Sequence, residues 1–213
     1  MTQILVIAKR PLPGRVKTRL TPPYTPEQAA GLARAALRDT LDAVSATPAR
    51  RRVVALDGPP GPYVPGGFDV VRQRGGGLDE RLAHAFGDAY ARCPEPMLLI
   101  GMDTPQAGPA LLTAATRALA TSDAVIGPAE DGGFWLLGLR RPDPALLLGV
   151  PMSTPGTGAA QHERLVRAGL RVAVAPTLRD VDTAPDVDAV AASIPGSAFA
   201  AARAHLAIPE PTP

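Results

Sequence analysis

The chain has 213 residues, of which 46% are hydrophobic and 20% are charged, a composition typical of a globular protein with a sizeable core. Its formal net charge of +2, from 22 basic and 20 acidic residues, is too small to indicate a nucleic-acid partner. The single cysteine, Cys93, excludes a disulfide framework and a cysteine metal site.

The first predicted element is a buried strand at 4–8, which leads into a stiff basic loop at 10–20. Two prolines and a glycine constrain this loop, and ligands of α/β proteins bind at the carboxyl ends of strands, so we interpret it as an anion site. A solvated basic turn is the alternative, and the glycine spacing of a P-loop is absent. The candidate nucleotide contacts are Lys9, Pro13, Gly14, Lys17 and Arg19.

A long helix is predicted next, with Thr25 as its N-cap, Pro26 in its first turn and an end near Ala46. Short apolar or β-branched runs predict further strands at 52–57, 68–73, 97–102, 124–127 and 172–175. Helical spacing of apolar residues predicts further helices at 78–86, 109–119, 157–168 and 186–192.

Strands that alternate with helices along the chain predict a three-layer α/β/α sandwich around a mostly parallel, mixed sheet. The length favours one domain, which we place at 1–207. Residues 208–213, where every second residue is proline, are expected to be a disordered tail. The apolar run 4–8 is too short for a signal peptide and no run of about 18 apolar residues occurs, so we expect a cytoplasmic protein without a membrane span.

Several carboxylates follow predicted strands. Asp103 ends the most apolar strand, and Asp180 and Asp182 end the last one in a similar way. Carboxylates brought to one edge of a sheet can share a hard cation such as Mg²⁺. The alternative is that Asp103 and Asp182 are N-caps of the helices that follow them.

A second glycine-rich loop, 127–133, contains Asp131 and precedes the only tryptophan. Asp131 is a candidate base or acceptor-binding group, and turn chemistry is the alternative. Phe134 and Trp135 are candidates for stacking on a sugar or base, with core packing as the alternative. Ser153 is a candidate acceptor contact or part of a helix cap. The residues predicted to bind the acceptor are Gly132, Gly133, Phe134, Trp135 and Ser153.

Three glycines at 75–77 form a turn before the helix at 78–86. They allow backbone N–H groups to approach a ligand, so Gly75 and Gly76 are candidate nucleotide contacts. A plain hinge accounts equally well for this turn.

Four motifs resemble, in this order, bacterial glycosyltransferases with a GT-A-like, nucleotide-diphospho-sugar transferase fold that are associated with radical-SAM or arsenosugar genes. The motifs are Pro11-x-Pro13-Gly14-x-Val16-Lys17-Thr18-Arg19-Leu20, Ile100-Gly101-x-Asp103-x-Pro105, Gly127-Pro128-Ala129-x-Asp131-Gly132-Gly133-Phe134-Trp135-Leu136-x-Gly138-Leu139 and Asp180-Val181-Asp182-Thr183. The first is also similar to 2-phospho-lactate guanylyltransferases, and the last to molybdenum-cofactor nucleotidyltransferases.

The resemblance implies that Lys17 contacts nucleotide phosphates and that Asp103 and Asp182 hold Mg²⁺ or Mn²⁺. Arg81 matches the last residue of a family stretch Gly-Asp-Leu-Gly-Glu-Arg and is a further candidate nucleotide contact, although the acidic position of that stretch differs here. Many GT-A enzymes have a D-x-D motif where this chain has Asp103 alone. The family often has tryptophan where this chain has Met152.

We therefore hypothesise a glycosyltransferase that moves a sugar from a nucleotide-diphospho-sugar to a small-molecule acceptor, with Lys17 and Asp131 as its catalytic residues. The first alternative is a nucleotidyltransferase, in which a phosphorylated acceptor attacks the α-phosphate of a nucleoside triphosphate. The second is a nucleotide-binding domain without catalytic activity. The choice of donor distinguishes the two enzymes.

Overall fold

The computed structural model describes residues 1–206 and shows one mixed sheet covered by helices on both faces. The predicted tail, residues 208–213, lies outside the described residues. The strands are β1 Gln3–Lys9, β2 Arg51–Asp57, β3 Asp69–Arg72, β4 Met97–Gly101, β5 Ala124–Pro128, β6 Phe134–Leu139 and β7 Val172–Val174. The helices are α1 Pro26–Ala46, α2 Leu78–Arg92, α3 Pro109–Thr121, α4 Thr157–Arg167, α5 Ala184–Ser193 and α6 Ala198–Ala204.

The sheet has the order β3-β2-β1-β4-β6-β5-β7. Strand β6 runs antiparallel to both of its neighbours, β4 and β5, whereas the other pairs are parallel. This arrangement confirms the predicted mostly parallel, mixed sheet. The carboxyl ends of β1, β4 and β5 therefore lie at one edge, where the candidate residues of three different loops meet.

Two hydrophobic clusters show the three layers. On one face Ile4 and Val6 of β1 pack with Leu37 of α1 and Leu112 of α3. On the other face Leu5 packs with Phe86 of α2 and Leu165 of α4. The alternation along β1 follows from the two-residue period of a strand, and both faces are buried because helices cover each of them.

Local signals account for the longest helix. Thr25 Oγ1 accepts a hydrogen bond from Gln28 N at 3.2 Å, Gln28 Oε1 accepts one from Thr25 N at 2.8 Å, and Pro26 occupies the first turn. This capping box satisfies backbone donors that a helix start leaves free. The predicted start and end of α1 are thereby confirmed.

Helix α6 was not predicted, and it belongs to a third hydrophobic cluster with α1 and α5. Phe199 of α6 is fully buried there beside Tyr24 and Val187. Asp39 of α1 accepts hydrogen bonds from Ala198 N at 2.9 Å and Phe199 N at 2.7 Å. A carboxylate from a distant helix thus caps the start of α6, and sequence patterns along α6 itself do not reveal such a cap.

The Gly132 turn is packed against the segment that precedes α4. Gly132 has φ +88°, and a Cβ at this position would collide with the carbonyl oxygen of Pro155. Gly158 N donates to Gly132 O at 2.8 Å, which fixes the start of α4 against the loop after β5. Among residues 1–206, no helix is long and apolar enough to cross a membrane.

Asp39→Ala is expected to lower the free energy of unfolding by about 1–2 kcal/mol, because two backbone donors of α6 lose a charged acceptor. Asp42→Ala is the matched control, since this aspartate lies on the same helix, is 65% exposed and pairs with Arg38 at only 3.7 Å. Both substitutions gain the same helix propensity. Urea unfolding should show a much smaller loss for Asp42→Ala, and equal losses would contradict the capping role.

Gly132→Ala is expected to lower the free energy of unfolding by about 2 kcal/mol more than Gly67→Ala. The two glycines have φ values of +88° and +86°, but a Cβ at Gly67 would meet no atom within 4 Å. The control therefore carries the same backbone strain, about 1 kcal/mol, without the clash. Similar midpoints in a urea titration of the two variants would show that the Pro155 contact adjusts freely.

Candidate active site

A cleft of about 770 Å³ opens at the carboxyl edge of the sheet. The predicted nucleotide contacts that line it are Lys9, Lys17, Arg19, Gly76 and Arg81. The other predicted site residues that line it with polar atoms or an accessible ring are Asp103, Asp131, Gly133, Phe134, Ser153 and Asp182. The residues predicted to bind the nucleotide, the metal and the acceptor thus lie together in one cleft at the carboxyl ends of the parallel strands.

Some predicted glycine and proline contacts need correction. Pro13, Gly14, Gly75 and Gly132 do not line the cleft; the first two are exposed in the basic loop, and Gly14 has φ +70°. Gly76 does line it, but its N–H donates to Glu80 Oε2 at 2.7 Å. These residues shape the backbone, and the predicted free N–H donor at Gly76 is already occupied.

Lys17 lies at the centre of the site. Its Nζ is 2.7 Å from Asp103 Oδ1 and 3.1 Å from Asp182 Oδ1, and it also donates to the carbonyl oxygen of Val181. Only 8% of the side chain is exposed. Burial alone would lower the pKa of Lys17, but the two carboxylates outweigh it and raise the pKa above its ordinary value. The lysine is therefore a buried cation that joins three segments of the chain.

The segment that carries Asp180 and Asp182 reaches the site by an unexpected route. Strand β7 ends at Val174, and the chain then crosses the carboxyl ends of β5 and β4. Leu178 N donates to Pro128 O at 3.1 Å, and Val181 N donates to Asp103 O at 2.9 Å. We call residues 175–183 the return segment. The prediction that these carboxylates end the last strand is wrong, because the return segment, not the strand, carries them to the cleft.

The helix-cap alternative for Asp103 and Asp182 is also wrong. The N-cap of α3 is Gly108, and that of α5 is Thr183. Asp186 Oδ2 accepts from Thr183 N at 2.7 Å and so completes the start of α5. Both carboxylates remain directed to Lys17.

Three carboxylates form the acidic trio: Asp131, Asp180 and Asp182 each offer an oxygen, and these atoms lie within 4.8 Å of one another. Burial, followed by the charges of Asp131 and Asp182, raises the pKa of Asp180 to about 6. Oxygen ligands that repel one another fit a hard divalent cation such as Mg²⁺ or Mn²⁺. Of the two metal ligands predicted from the sequence, Asp182 belongs to this trio, whereas, among residues 1–206, Asp103 is not a member of it.

On the acceptor side, Asp131 Oδ1 accepts from Gly133 N at 2.7 Å, so Asp131 also serves the turn. Phe134 is half-buried at the cleft wall. Trp135 is only 4% exposed, packs in the core, and donates through Nε1 to Pro176 O at 3.0 Å. The predicted stacking role of Trp135 is thus corrected to core packing, since its indole holds the return segment against β6.

Ser153 is exposed at the cleft and has φ +59°, a backbone conformation uncommon for a residue with a side chain. The N-cap of α4 is Gly156, so Ser153 does not cap that helix. Strained residues of this kind concentrate at ligand sites, which favours the acceptor-binding alternative.

The predicted site residues leave out several polar residues of the cleft, among them Arg15 and Gln73. Arg15 is exposed beside the cleft, in the same basic loop as Arg19. Gln73 lines the cleft after β3, and its Nε2 donates to Ala8 O at 2.8 Å and Ala55 O at 2.9 Å. The available signal for Gln73 was its place at the end of the strand predicted at 68–73, close to the kind of position that identified Asp103.

Comparison with solved structures shows the fold. A structure from Desulfovibrio desulfuricans G20 that carries the provisional name nucleotide-diphospho-sugar transferase is 28% identical, with 95% of this chain and 94% of that chain covered and a TM-score of 0.87. Rv0371C of Mycobacterium tuberculosis H37Rv, solved in complex with manganese, is 20% identical over 91% and 99% of the two chains, with a TM-score of 0.57.

A third similar structure is 2-C-methyl-D-erythritol 4-phosphate cytidylyltransferase from Thermus thermophilus. It is 17% identical, covers 95% of this chain and 100% of its own, and has a TM-score of 0.56. The predicted GT-A-like fold of nucleotidyl and sugar transferases is thereby confirmed. No curated protein matches the sequence.

A family match covers residues 32–154, more than half of the chain, from within α1 to the loop before α4. The matched part contains Asp103, Asp131 and the strands β2 to β6, and so includes the centre of the sheet. The protein therefore belongs to the bacterial family DUF2064, which is described as an uncharacterized protein conserved in bacteria.

Proposed function

We propose that this protein is a glycosyltransferase that moves a sugar from a nucleotide-diphospho-sugar to a small-molecule acceptor with the help of a divalent cation. The observation that carries the proposal is the meeting of the basic loop and the acidic trio at Asp182, which contacts Arg19 and Lys17 and belongs to the trio. Cationic side chains and a metal site placed side by side are what a diphosphate leaving group requires. The name of the similar Desulfovibrio structure supports the same reaction class.

Arg19 and Arg15 are the proposed phosphate contacts. The Arg19 side chain is 72% exposed, and one of its N–H groups donates to Asp182 Oδ2 at 3.0 Å. Its other donors stay open to solvent, and a guanidinium can bind two phosphate oxygens at once. Lys9 adds a further exposed cation at the same wall.

In the proposed reaction, the hydroxyl oxygen of the acceptor bonds to the anomeric carbon, and the bond between that carbon and the diphosphate oxygen breaks. Asp131 is the exposed member of the trio, so it is the carboxylate that an acceptor reaches and the proposed acceptor of the hydroxyl proton. Asp180 and Asp182 would hold Mg²⁺ or Mn²⁺. When bound, such a cation neutralises charge that develops on the departing diphosphate.

The size and polarity of the cleft fit a donor and a small acceptor together. A volume of about 770 Å³ lies in the usual range for ligand sites. Gly133, Phe134 and Ser153 also line the cleft and are the proposed acceptor contacts. Ser153 offers a hydroxyl group, and Phe134 offers an apolar ring of the kind that packs against a sugar face.

Nucleotidyl transfer is the second candidate, because the cleft offers more exposed cations than a diphosphate needs. Lys9, Arg15 and Arg19 are exposed and line the cleft. In this reaction a phosphate oxygen of the acceptor bonds to the α-phosphorus of a nucleoside triphosphate, and the bond to pyrophosphate breaks. The proposed phosphate contacts would be the same.

Donor use separates the candidates. With Mn²⁺ present, we expect one nucleotide-diphospho-sugar to raise the melting temperature and to be slowly hydrolysed with release of nucleoside diphosphate, because a ligand that binds only the folded state stabilises it. Pyrophosphate release from a nucleoside triphosphate would establish the second candidate instead. Stabilisation without turnover across a broad acceptor panel would indicate a non-catalytic nucleotide-binding domain.

Arg19→Gln is expected to weaken nucleoside diphosphate binding by about tenfold or more at constant free Mg²⁺, because a charged hydrogen bond contributes about 1.5–3 kcal/mol. Arg34→Gln is the matched control, since Arg34 is exposed on α1 and does not line the cleft. Isothermal titration calorimetry measures both. Equal affinities of the two variants would contradict the assignment of the phosphate site.

A further inference from the structure

Lys17 has no hydrogen left for a ligand. An ammonium group has three N–H donors, and three protein oxygens surround it: Asp103 Oδ1 at 2.7 Å, Asp182 Oδ1 at 3.1 Å and the carbonyl oxygen of Val181. With 8% of its side chain exposed, it has little contact with solvent. The phosphate contact implied for Lys17 by family resemblance is therefore not the contact that this structure makes.

Asp182 contacts two cationic side chains of the site and is also one of its clustered carboxylates. Its Oδ1 accepts from Lys17, its Oδ2 accepts from Arg19 at 3.0 Å, and it is also a member of the acidic trio. A divalent cation that uses Asp182 must compete with two resident cations. Asp103 pairs with Lys17 in the same way, at the shorter distance of 2.7 Å.

We infer that Lys17 is a built-in counter-ion that competes with a divalent metal for Asp182 and, anchored by Asp103 and Val181, keeps metal affinity low in the free protein. This inference rests on the metal site of the proposed function. Lys17 is then a positioning residue: its ammonium neutralises two carboxylates and ties the basic loop to the return segment. Phosphate binding falls to Arg15 and Arg19, whose guanidinium groups are exposed.

The charge of Lys17 acts from close range. Its ammonium contacts an oxygen of the trio at 3.1 Å, where the interaction of two unit charges is strong even with substantial solvent screening. Lys9 lines the same cleft and carries the same charge, but it is exposed and forms no ion pair within residues 1–206. Substitutions of the two lysines therefore distinguish direct competition for Asp182 from the general electrostatic field of the cleft.

The test is Mn²⁺ binding to the nucleotide-free protein, measured by calorimetry or by electron paramagnetic resonance of free Mn²⁺. Lys17→Met is expected to bind Mn²⁺ about tenfold more tightly than the unmodified protein, because Asp182 loses its closest competing cation. Lys9→Met is the matched control, which removes the same charge and should change the affinity by no more than about twofold. A merely structural role of Lys17 predicts unchanged or weaker Mn²⁺ binding.

Lys17→Met leaves two carboxylates without their shared cation, so a second variant guards against loss of the fold. The double variant Lys17→Met with Asp103→Asn removes the cation together with its anchor, and it keeps Asp182 and its contact with Arg19. It should also bind Mn²⁺ more tightly than the unmodified protein. Cooperative thermal melting establishes that each variant is folded.

The inference is overturned if folded Lys17→Met and the folded double variant bind Mn²⁺ no more tightly than the unmodified protein. It is also overturned if neither these two variants nor the unmodified protein binds Mn²⁺. Metal-free transfer from a nucleotide-diphospho-sugar would then still support glycosyl transfer, so failure here differs from failure of the proposed function. Tight Mn²⁺ binding by Lys17→Met, together with no donor turnover by the unmodified protein, gives the reverse result: the competition holds and the reaction class does not.

Discussion

The buried ammonium of Lys17 is the interaction on which the site depends. It reaches the carboxylates of Asp103 and Asp182 and the carbonyl oxygen of Val181, and so joins the loop after β1, the end of β4 and the return segment. Removing this buried cation is costly, because it leaves two neighbouring carboxylates, 47% and 31% exposed, without the charge that neutralises both. The three segments that line the cleft are therefore held together by charge as much as by hydrophobic contact.

The return segment determines which carboxylates meet. It runs back from β7 across the ends of β5 and β4 through backbone hydrogen bonds at Leu178 and Val181. Trp135 holds the return segment in place by donating a hydrogen bond to the carbonyl oxygen of Pro176. The indole ring packs against Gly127, where a Cβ would come within 2.6 Å of the ring. The only tryptophan thus serves the site indirectly, because it places the segment that carries Asp180 and Asp182.

Features that depend on residues close together in the chain could be predicted from the sequence. Apolar patterns predicted every strand except β6 and every α-helix except α6, and the Thr25–Pro26–Gln28 start of α1 was predicted because its hydrogen bonds lie within one turn. The sequence prediction failed where the structure depends on contacts between residues far apart in the chain. Asp39 of α1 supplements the local Ser197 cap of α6, the return segment bonds to Pro128 and Asp103 far earlier in the chain, and Lys17 near the start of the chain pairs with Asp182 near its end. Carboxyl-edge placement of Asp103 was predictable, whereas the grouping of Asp131 with Asp180 required the fold.

The acidic trio also bears on the missing D-x-D motif. A second aspartate beside Asp103 would add negative charge next to a carboxylate that already pairs with Lys17. Instead, the loop after β5 supplies Asp131 and the return segment supplies Asp180 and Asp182, so the concentration of carboxylates lies on the other side of the lysine. Burial first, and then the charges of Asp131 and Asp182, raise the pKa of Asp180, and a divalent cation bound there would offset both costs of its negative charge. The proposed metal site therefore does not require the D-x-D sequence, because two loops that meet at the sheet edge bring carboxylates of the same kind together.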